Sequence, residues 1–260
     1  MSPRMNRILV IACVFATSSV AADAQKHLSF VSCPIVRDTK TVPCWLAEYE
    51  GETYFLTLQT DVSAPVNPPW LGHRVLVEGV ISDEPNICGG RVLKPLTLSV
   101  LPELDASCNT ILPAEDRYNL TFEPPRPPGP SMGRLAFTYE EPAPAKPGDG
   151  PKDFTIEYDF DGLVVFRHPR SLSAILDYAQ QTHAKHVDIT GFRGASLLSN
   201  GEKLIEAEDI GKRRAEQVAE LLQGAGLTNV NYQVQWKNSV PKPNGRTDPK
   251  SRRVEVTVRP

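Results

Sequence analysis

Residues 153–192 read DFTIEYDFDGLVVFRHPRSLSAILDYAQQTHAKHVDITGF, and this stretch decides the fold class of the second half of the chain. Apolar and polar residues alternate from Phe154 to Phe160, which is typical of a strand. The next apolar residues recur at helical spacing: Leu172, Ile175, Leu176 and Ala179. Alternation returns from Val187 to Phe192, around a glycine-containing corner. The stretch therefore predicts a strand, a helix and a second strand in succession.

A longer helix is expected next, from about Glu202 to Gln223. Its apolar and small residues form one stripe: Leu204, Ala207, Gly211, Ala215, Val218 and Leu222. Ser199 and Glu202 have the spacing of a capping box at its start. Strands are predicted at Asn231–Trp236 and Val254–Val258. The order β-α-β-α-β-β predicts an α+β sandwich with the helices on one face of a sheet.

The region from residue 25 to residue 123 has a different pattern, with short alternating runs and no sustained helical periodicity. The runs end at Gly, Pro, Asp or Asn: Trp45–Tyr49, Tyr54–Leu58, Arg74–Ile81 and Leu93–Val100. Glu50-Gly51-Glu52 is expected to form a hairpin turn. A small all-β barrel domain of about five strands is predicted, and its run Gly72–Gly79 resembles a strand of an OB-type barrel.

Charge separates this β-domain from the nucleic-acid binders among such barrels. The whole chain carries a net charge of −3, and residues 25–123 hold 7 Lys and Arg against 13 Asp and Glu, which gives −6. Binding of single strands requires a basic groove with stacking aromatic rings. A nucleic-acid partner is therefore excluded for this domain.

The N-terminal segment has the three parts of a secretory signal. Arg4 and Arg7 precede an apolar run, and Ala22-Asp23-Ala24 offers a cleavage site. The apolar run is too short to span about 30 Å of hydrocarbon, so we predict a cleaved signal peptide over residues 1–24 and no transmembrane segment after cleavage. The alternative is a lipid anchor at Cys13, because Val10-Ile11-Ala12-Cys13 resembles a bacterial lipobox.

Four cysteines remain after the predicted signal: Cys33, Cys44, Cys88 and Cys108. In an exported protein an even number of cysteines predicts disulfides, here two with three possible connectivities. A zinc site is the alternative, but the chain has no C-x2-C pair and no histidine cluster beside these cysteines. We therefore expect a disulfide-stapled β-domain and no metal.

Nine of the 24 prolines lie between Pro124 and Pro151. Proline fixes φ and removes an amide donor, so such a run favours an extended, semi-rigid spacer. Residues 124–152 are predicted to be a proline-rich linker, and the compact second domain is expected over residues 153–260.

Four blocks of the second domain stand out: Tyr158-Asp159-Phe160-Asp161, Val187-Asp188-Ile189-Thr190-Gly191, Lys212–Val218 and Ser251–Val256. In this order they resemble the OmpA-like C-terminal domain family of bacterial envelope proteins, which associates with peptidoglycan. The resemblance implies the sandwich fold for residues 153–260. It also implies a site in which an Asp after the second strand and an Arg of the long helix hold diaminopimelate from the peptidoglycan stem peptide.

The Arg of this implied site is Arg214, whereas Gly194 stands at the position of the Asp and Arg193 stands beside it. Two replacements are open. A glutamate of the lengthened loop could supply the carboxylate, from among Glu202, Glu206 and Glu208. Alternatively, Arg193 and Arg214 could bind an anion together. The plainer interpretation makes Arg214 an exposed or helix-paired arginine and Arg193 a solvated turn residue.

Other titratable residues predict no chemistry. His183 and His186 lie at a helix end without a third metal ligand, and Asp159 and Asp161 lead into a turn. No nucleophile motif, phosphate-binding loop or dinucleotide fingerprint occurs in the chain. We therefore expect neither an enzyme nor a cofactor.

The expected function follows from the resemblance. An exported protein of the periplasm, associated with the outer membrane, would bind peptidoglycan or its stem peptides noncovalently and tether the β-domain. The alternative is an OmpA-like scaffold that has lost diaminopimelate binding and contacts other envelope proteins. The missing Asp at Gly194 discriminates between them.

Overall fold

The computed structural model describes residues 26–59, 68–118, 150–164 and 171–260. The predicted signal peptide, Cys13 and nearly all of the predicted linker lie outside these ranges. Residues 26–118 are called the N-terminal unit below, and residues 150–260 the C-terminal unit. The strands and helices of the two units together confirm a mixed α+β protein. The domain boundaries and the OB and OmpA resemblances stay predictions.

The N-terminal unit is a single seven-stranded sheet in the order β1-β5-β6-β4-β3-β2-β7, so it has about two strands more than the sequence predicted. Its elements are β1 His27–Ser32, β2 Pro34–Arg37, β3 Cys44–Tyr49, β4 Glu52–Leu58, β5 His73–Ile81, β6 Arg91–Leu104 and β7 Ile111–Leu112, with a 3-10 helix at Asp116–Tyr118. Only Cys33 separates β1 from β2, yet β1 pairs with β5 and β2 pairs with β3. The sheet therefore curls back on itself around an apolar core that includes Phe30, Trp45 and Val77.

The predicted hairpin turn is present between β3 and β4. Tyr49 pairs with Glu52, so Glu50 and Gly51 form a two-residue loop. Both loop residues have positive φ, 51° and 78°. Glycine adopts such values without steric cost, which explains its place in this tight turn.

Two disulfides join the four cysteines of the N-terminal unit, as the sequence predicted. The connectivity that the sequence left open is Cys33–Cys108 and Cys44–Cys88. The first ties the β1–β2 junction to the loop after β6, and the second ties the start of β3 to the loop after β5. Both thus link segments that are distant along the chain.

The C-terminal unit packs two helices against a four-stranded sheet in the order β12-β9-β13-β8. Its elements are β8 Lys152–Glu157, α1 Ser171–Gln181, β9 His186–Phe192, β10 Ala195–Leu197, β11 Lys203–Ile205, α2 Ile210–Gly224, β12 Asn231–Lys237, a 3-10 helix at Asp248–Ser251, and β13 Arg253–Arg259. Strand β12 runs parallel to β9, and β13 runs antiparallel to both of its neighbours. Neither helix in the described part of the chain is long and apolar enough to cross a membrane.

The predicted start of the long helix is wrong. Helix α2 begins at Ile210 after Asp209, and the β10–β11 hairpin occupies residues 195–205. Leu198 and Leu204 of this hairpin region join an apolar cluster with Leu76 and Leu101 of the N-terminal unit. Contacts with a distant segment therefore override the local helical pattern. Ser199 and Glu202 form no capping box.

Candidate functional site

Arg214 lies in the second turn of α2, with its side chain fully buried. Its guanidinium donates two hydrogen bonds to the Glu206 carboxylate, at 2.7 and 3.1 Å. The remaining N–H groups point at three main-chain carbonyl oxygens: Gly162 at 2.9 Å, Asp159 at 2.9 Å and Phe192 at 3.4 Å. A guanidinium has five N–H donors, and these five hydrogen bonds give each of them an acceptor within the protein.

Glu206 provides the carboxylate that the sequence left unassigned among three glutamates. It follows β11 and is fully buried. Its Oε1 also accepts from the Asp161 N–H at 2.9 Å, and its Oε2 from the Gly194 N–H at 2.6 Å. With the two Arg214 bonds, the carboxylate has four donors, which is its full accepting capacity.

Gly194 cannot be replaced by aspartate without displacing its neighbours. A Cβ at this position would lie 2.6 Å from Arg252 Cγ, 2.6 Å from Ser251 Oγ and 3.2 Å from Glu206 Oε2. The space in which a side chain at position 194 would begin is therefore filled. The carboxylate that binds Arg214 comes instead from Glu206, which is twelve residues after Gly194 in the chain.

The surroundings of the pair are partly apolar and partly acidic. Arg214 lies over the Tyr158 ring at 4.8 Å, and burial raises the pKa of this tyrosine to about 12, although the positive charge of Arg214 opposes the shift. Asp161 accepts a hydrogen bond from the Ala207 N–H at 2.7 Å. Burial, and secondarily the neighbouring Glu206 carboxylate, raise the pKa of Asp161 above its ordinary value.

Arg193 contacts the same glutamate from the other side. Its Nε donates to the main-chain carbonyl of Glu206 at 2.5 Å, while Arg214 binds the side chain of that residue. The two arginines therefore hold the turn before α2 in place. Both arginines thus bind acceptors that the protein itself supplies.

Sequence reasoning assigned no role to Arg252, although it lies in one of the four recognised blocks. Its side chain is fully buried and forms an ion pair with Glu78 of β5 in the N-terminal unit. Ser196 Oγ donates to Glu78 Oε1 at 2.8 Å and accepts from Arg252 Nη1 at 3.3 Å. The partner is 174 residues away in the chain, so no local signal could have revealed it.

Three further contacts join the two units beside this ion pair. The Phe160 N–H donates to Ser99 Oγ at 2.9 Å in a buried position. Ser29 and Ser199 exchange two bonds: the Ser29 N–H donates to Ser199 Oγ at 2.9 Å, and the Ser199 N–H donates to the Ser29 carbonyl at 2.7 Å. Apolar side chains of the two units also pack into one cluster, made of Leu76, Leu101, Phe160 and Leu198. The interface therefore combines an apolar centre with several polar contacts, although Ser29 Oγ and Arg252 Nε are buried without a hydrogen-bond partner in the described ranges.

Metal-ligand types come together at one place in the described ranges, Cys33, Asp105 and Cys108. Both thiols of this group are joined in a disulfide and are not free to bind a cation. His183 lies instead at the rim of a cavity of about 310 Å³ between the end of α1 and the α2–β12 loop. None of the residues that line this cavity belongs to the Arg214 cluster.

The comparisons with known proteins add little to this geometry. No protein-family model matches the chain, and no curated protein is significantly similar to it. Among solved structures, the crystal structure of a protein described as MotB-like, from Desulfovibrio vulgaris, aligns over 42% of this chain and 76% of that chain. The identity is 16% and the TM-score is 0.33. A likeness of this size carries no conclusion about function.

Proposed function

We propose that this protein is an exported cell-envelope scaffold whose OmpA-like C-terminal unit does not capture diaminopimelate through Arg214. The observation that carries the proposal is the saturated Arg214–Glu206 ion pair, in which both side chains are fully buried. In this proposal the protein is not an enzyme and uses no cofactor. Its C-terminal unit serves to hold and present the N-terminal unit to other envelope components.

A zwitterionic ligand at Arg214 would have to displace the protein's own carboxylate. The ligand carboxylate would compete with Glu206, which is held by four donors. Breaking a buried ion pair by removing one partner costs about 3–5 kcal/mol. The free energy of ligand binding would first have to offset this cost. An arginine without a carboxylate partner in the protein would impose no such cost.

The interface between the units supports the scaffold in a second way. Phe160 and Arg252, which belong to two of the four recognised blocks, contact Ser99 and Glu78 of the N-terminal unit. These residues serve an internal interface, which would fix the orientation of one unit on the other. The two disulfides are compatible with an oxidising compartment such as the periplasm.

Sedimentation with insoluble peptidoglycan tests the proposal against wall binding, the function that the family resemblance implies. The purified full chain, with Arg214→Gln and its exposed neighbour Arg213→Gln as a matched pair, is centrifuged with and without free diaminopimelate. We expect the wild type to stay in the supernatant. The proposal would be overturned if the wild type sediments with peptidoglycan and free diaminopimelate abolishes this sedimentation. In that outcome Arg214→Gln would no longer sediment, whereas Arg213→Gln would still do so.

The scaffold itself is tested by cutting the chain between the units. A specific protease site inserted in the predicted linker is cleaved, and the products are passed over a size-exclusion column. The buried contacts between the units predict that both fragments elute together. Elution as two separate species would contradict a fixed arrangement of the units.

A further inference from the structure

The segment that joins β12 to β13 carries a concentration of positive charge that neither unit neutralises. Residues 237–250, from the last residue of β12 into the 3-10 helix before β13, are called the basic loop here. Four of its side chains are cationic and exposed: Lys237, Lys242, Arg246 and Lys250. None of the four forms an ion pair with any residue of the described ranges, whereas nearby cations do, as in Lys212–Glu216 and Arg253–Glu255.

Asp248 is the only acidic residue of the basic loop, and its charge is directed inward. Its side chain is buried and accepts from three main-chain N–H groups: Asn244, Gly245 and Leu197, each at 2.8 Å. A carboxylate held in this way fixes the shape of the loop and ties it to β10. All the charged side chains that the loop exposes to solvent are therefore positive.

The kind of cation indicates the kind of partner. Three of the four are lysines, which act as mobile point charges and lack the planar fork with which arginine grips a single carboxylate or phosphate. Such an array suits an extended negative surface better than one small anion. Trp236, next to the loop in sequence, is 42% exposed, and a partly exposed tryptophan is favoured where water meets lipid headgroups.

We propose that the basic loop binds the surface of an anionic lipid bilayer. The attraction is electrostatic, with Lys237, Lys242, Arg246 and Lys250 close to the phosphate headgroups and Trp236 at the edge of the contact. This binding does not use Arg214 or Glu206, and it therefore holds or fails independently of the scaffold proposal.

Co-sedimentation with vesicles tests this inference on the full chain. Vesicles of phosphatidylglycerol mixed with phosphatidylcholine are compared with vesicles of phosphatidylcholine alone. Each basic residue near an anionic bilayer strengthens binding roughly fivefold, so replacing all four by Gln should weaken binding by roughly a hundredfold or more. A matched variant carries Gln at four exposed lysines elsewhere: Lys26, Lys94, Lys185 and Lys203. It should bind at nearly the wild-type level.

The remaining outcomes are equally decisive. Binding should weaken steeply with added salt, because the Debye length shortens from about 10 Å at 0.1 M to about 3 Å at 1 M. An equal loss of vesicle binding in the two Gln variants would show a general effect of charge, and it would overturn the assignment of binding to the basic loop. Binding to pure phosphatidylcholine, or charge-dependent binding to insoluble peptidoglycan but not to anionic vesicles, would also overturn it.

Discussion

Arg252 of the C-terminal unit and Glu78 of the N-terminal unit form a buried ion pair, although 174 residues separate them in the chain. Ser196 bonds to both partners. Charges buried between two units stabilise their arrangement only while both partners are present, since either one alone would be desolvated without compensation. The pair therefore makes the stability of each unit dependent on the other.

Glu78→Gln is expected to lower the free energy of unfolding by about 3 kcal/mol, because it leaves the Arg252 guanidinium buried without a counter-charge. Urea denaturation at neutral pH measures the change. Glu48→Gln, at an exposed strand position, is the matched control and should stay within about 0.5 kcal/mol of the wild type. Equal stability of the two variants would mean that the ion pair contributes nothing.

Gly194→Asp restores the residue type that the family resemblance expects, and yet it should destabilise the protein. The new Cβ would lie 2.6 Å from both Arg252 Cγ and Ser251 Oγ, and the new carboxylate would approach that of Glu206. We expect a loss of about 2 kcal/mol or more in unfolding free energy. Gly150→Asp is the control, since a Cβ there meets nothing within 4 Å. A stable Gly194→Asp variant that binds diaminopimelate would refute this account of the site.

Asp161 should make the protein less stable at neutral pH than at mildly acidic pH. Burial raises the pKa of Asp161 in the folded protein above its pKa in the unfolded chain. Above the folded-state pKa, folding therefore buries a charged carboxylate at a cost in free energy. This cost disappears as the pH falls below the unfolded-state pKa, because the group is then protonated in both states. Asp161→Asn keeps an oxygen to accept from the Ala207 N–H. The variant should therefore be more stable than the wild type at neutral pH.

Urea denaturation of Asp161→Asn and wild type across this pH range gives the test. The gap between them should close on acidification. Asp83→Asn, at an exposed loop position, supplies the reference for the substitution itself. A gap for Asp161→Asn that widens toward acidic pH would have the wrong sign.

Both disulfides should be complete in the folded protein and should contribute strongly to its stability. They close loops with separations of 75 and 44 residues. On the chain-entropy account each stabilises by about 4 kcal/mol. The double variant Cys44→Ser, Cys88→Ser should therefore lose roughly that amount in urea denaturation. Thiol titration of the unfolded, unreduced mature protein should detect no free thiol among the four cysteines, and two or more would contradict the pairing.

Local patterns predicted most of the regular elements because their periodicity matched the final environment. The alternation of Val187 to Phe192 became β9, and the stripe around Ala215, Val218 and Leu222 became the buried face of α2. Gly51 marked the turn between β3 and β4. In the strand and the helix, the apolar residues that set the pattern are buried within a single unit.

The pattern failed where side chains found their partners in the other unit. Leu204 continued the helical stripe, but in the structure it packs with Leu76 and Leu198, and its segment is a hairpin. No periodicity within residues 195–209 encodes that contact. Likewise, the sequence offered three glutamates for Arg214, and only the turn between β11 and α2 selected Glu206.

The sequence by itself determined the α+β class, the order of the main strands and helices, and the involvement of all four cysteines in disulfides. These depend on local spacing and composition, which the folded chain preserves. Only the tertiary structure decided which cysteines pair, which carboxylate meets Arg214 and where Arg252 is buried. Those choices depend on distances between residues far apart in the chain, and burial without a partner is too costly for a charge to remain unpaired.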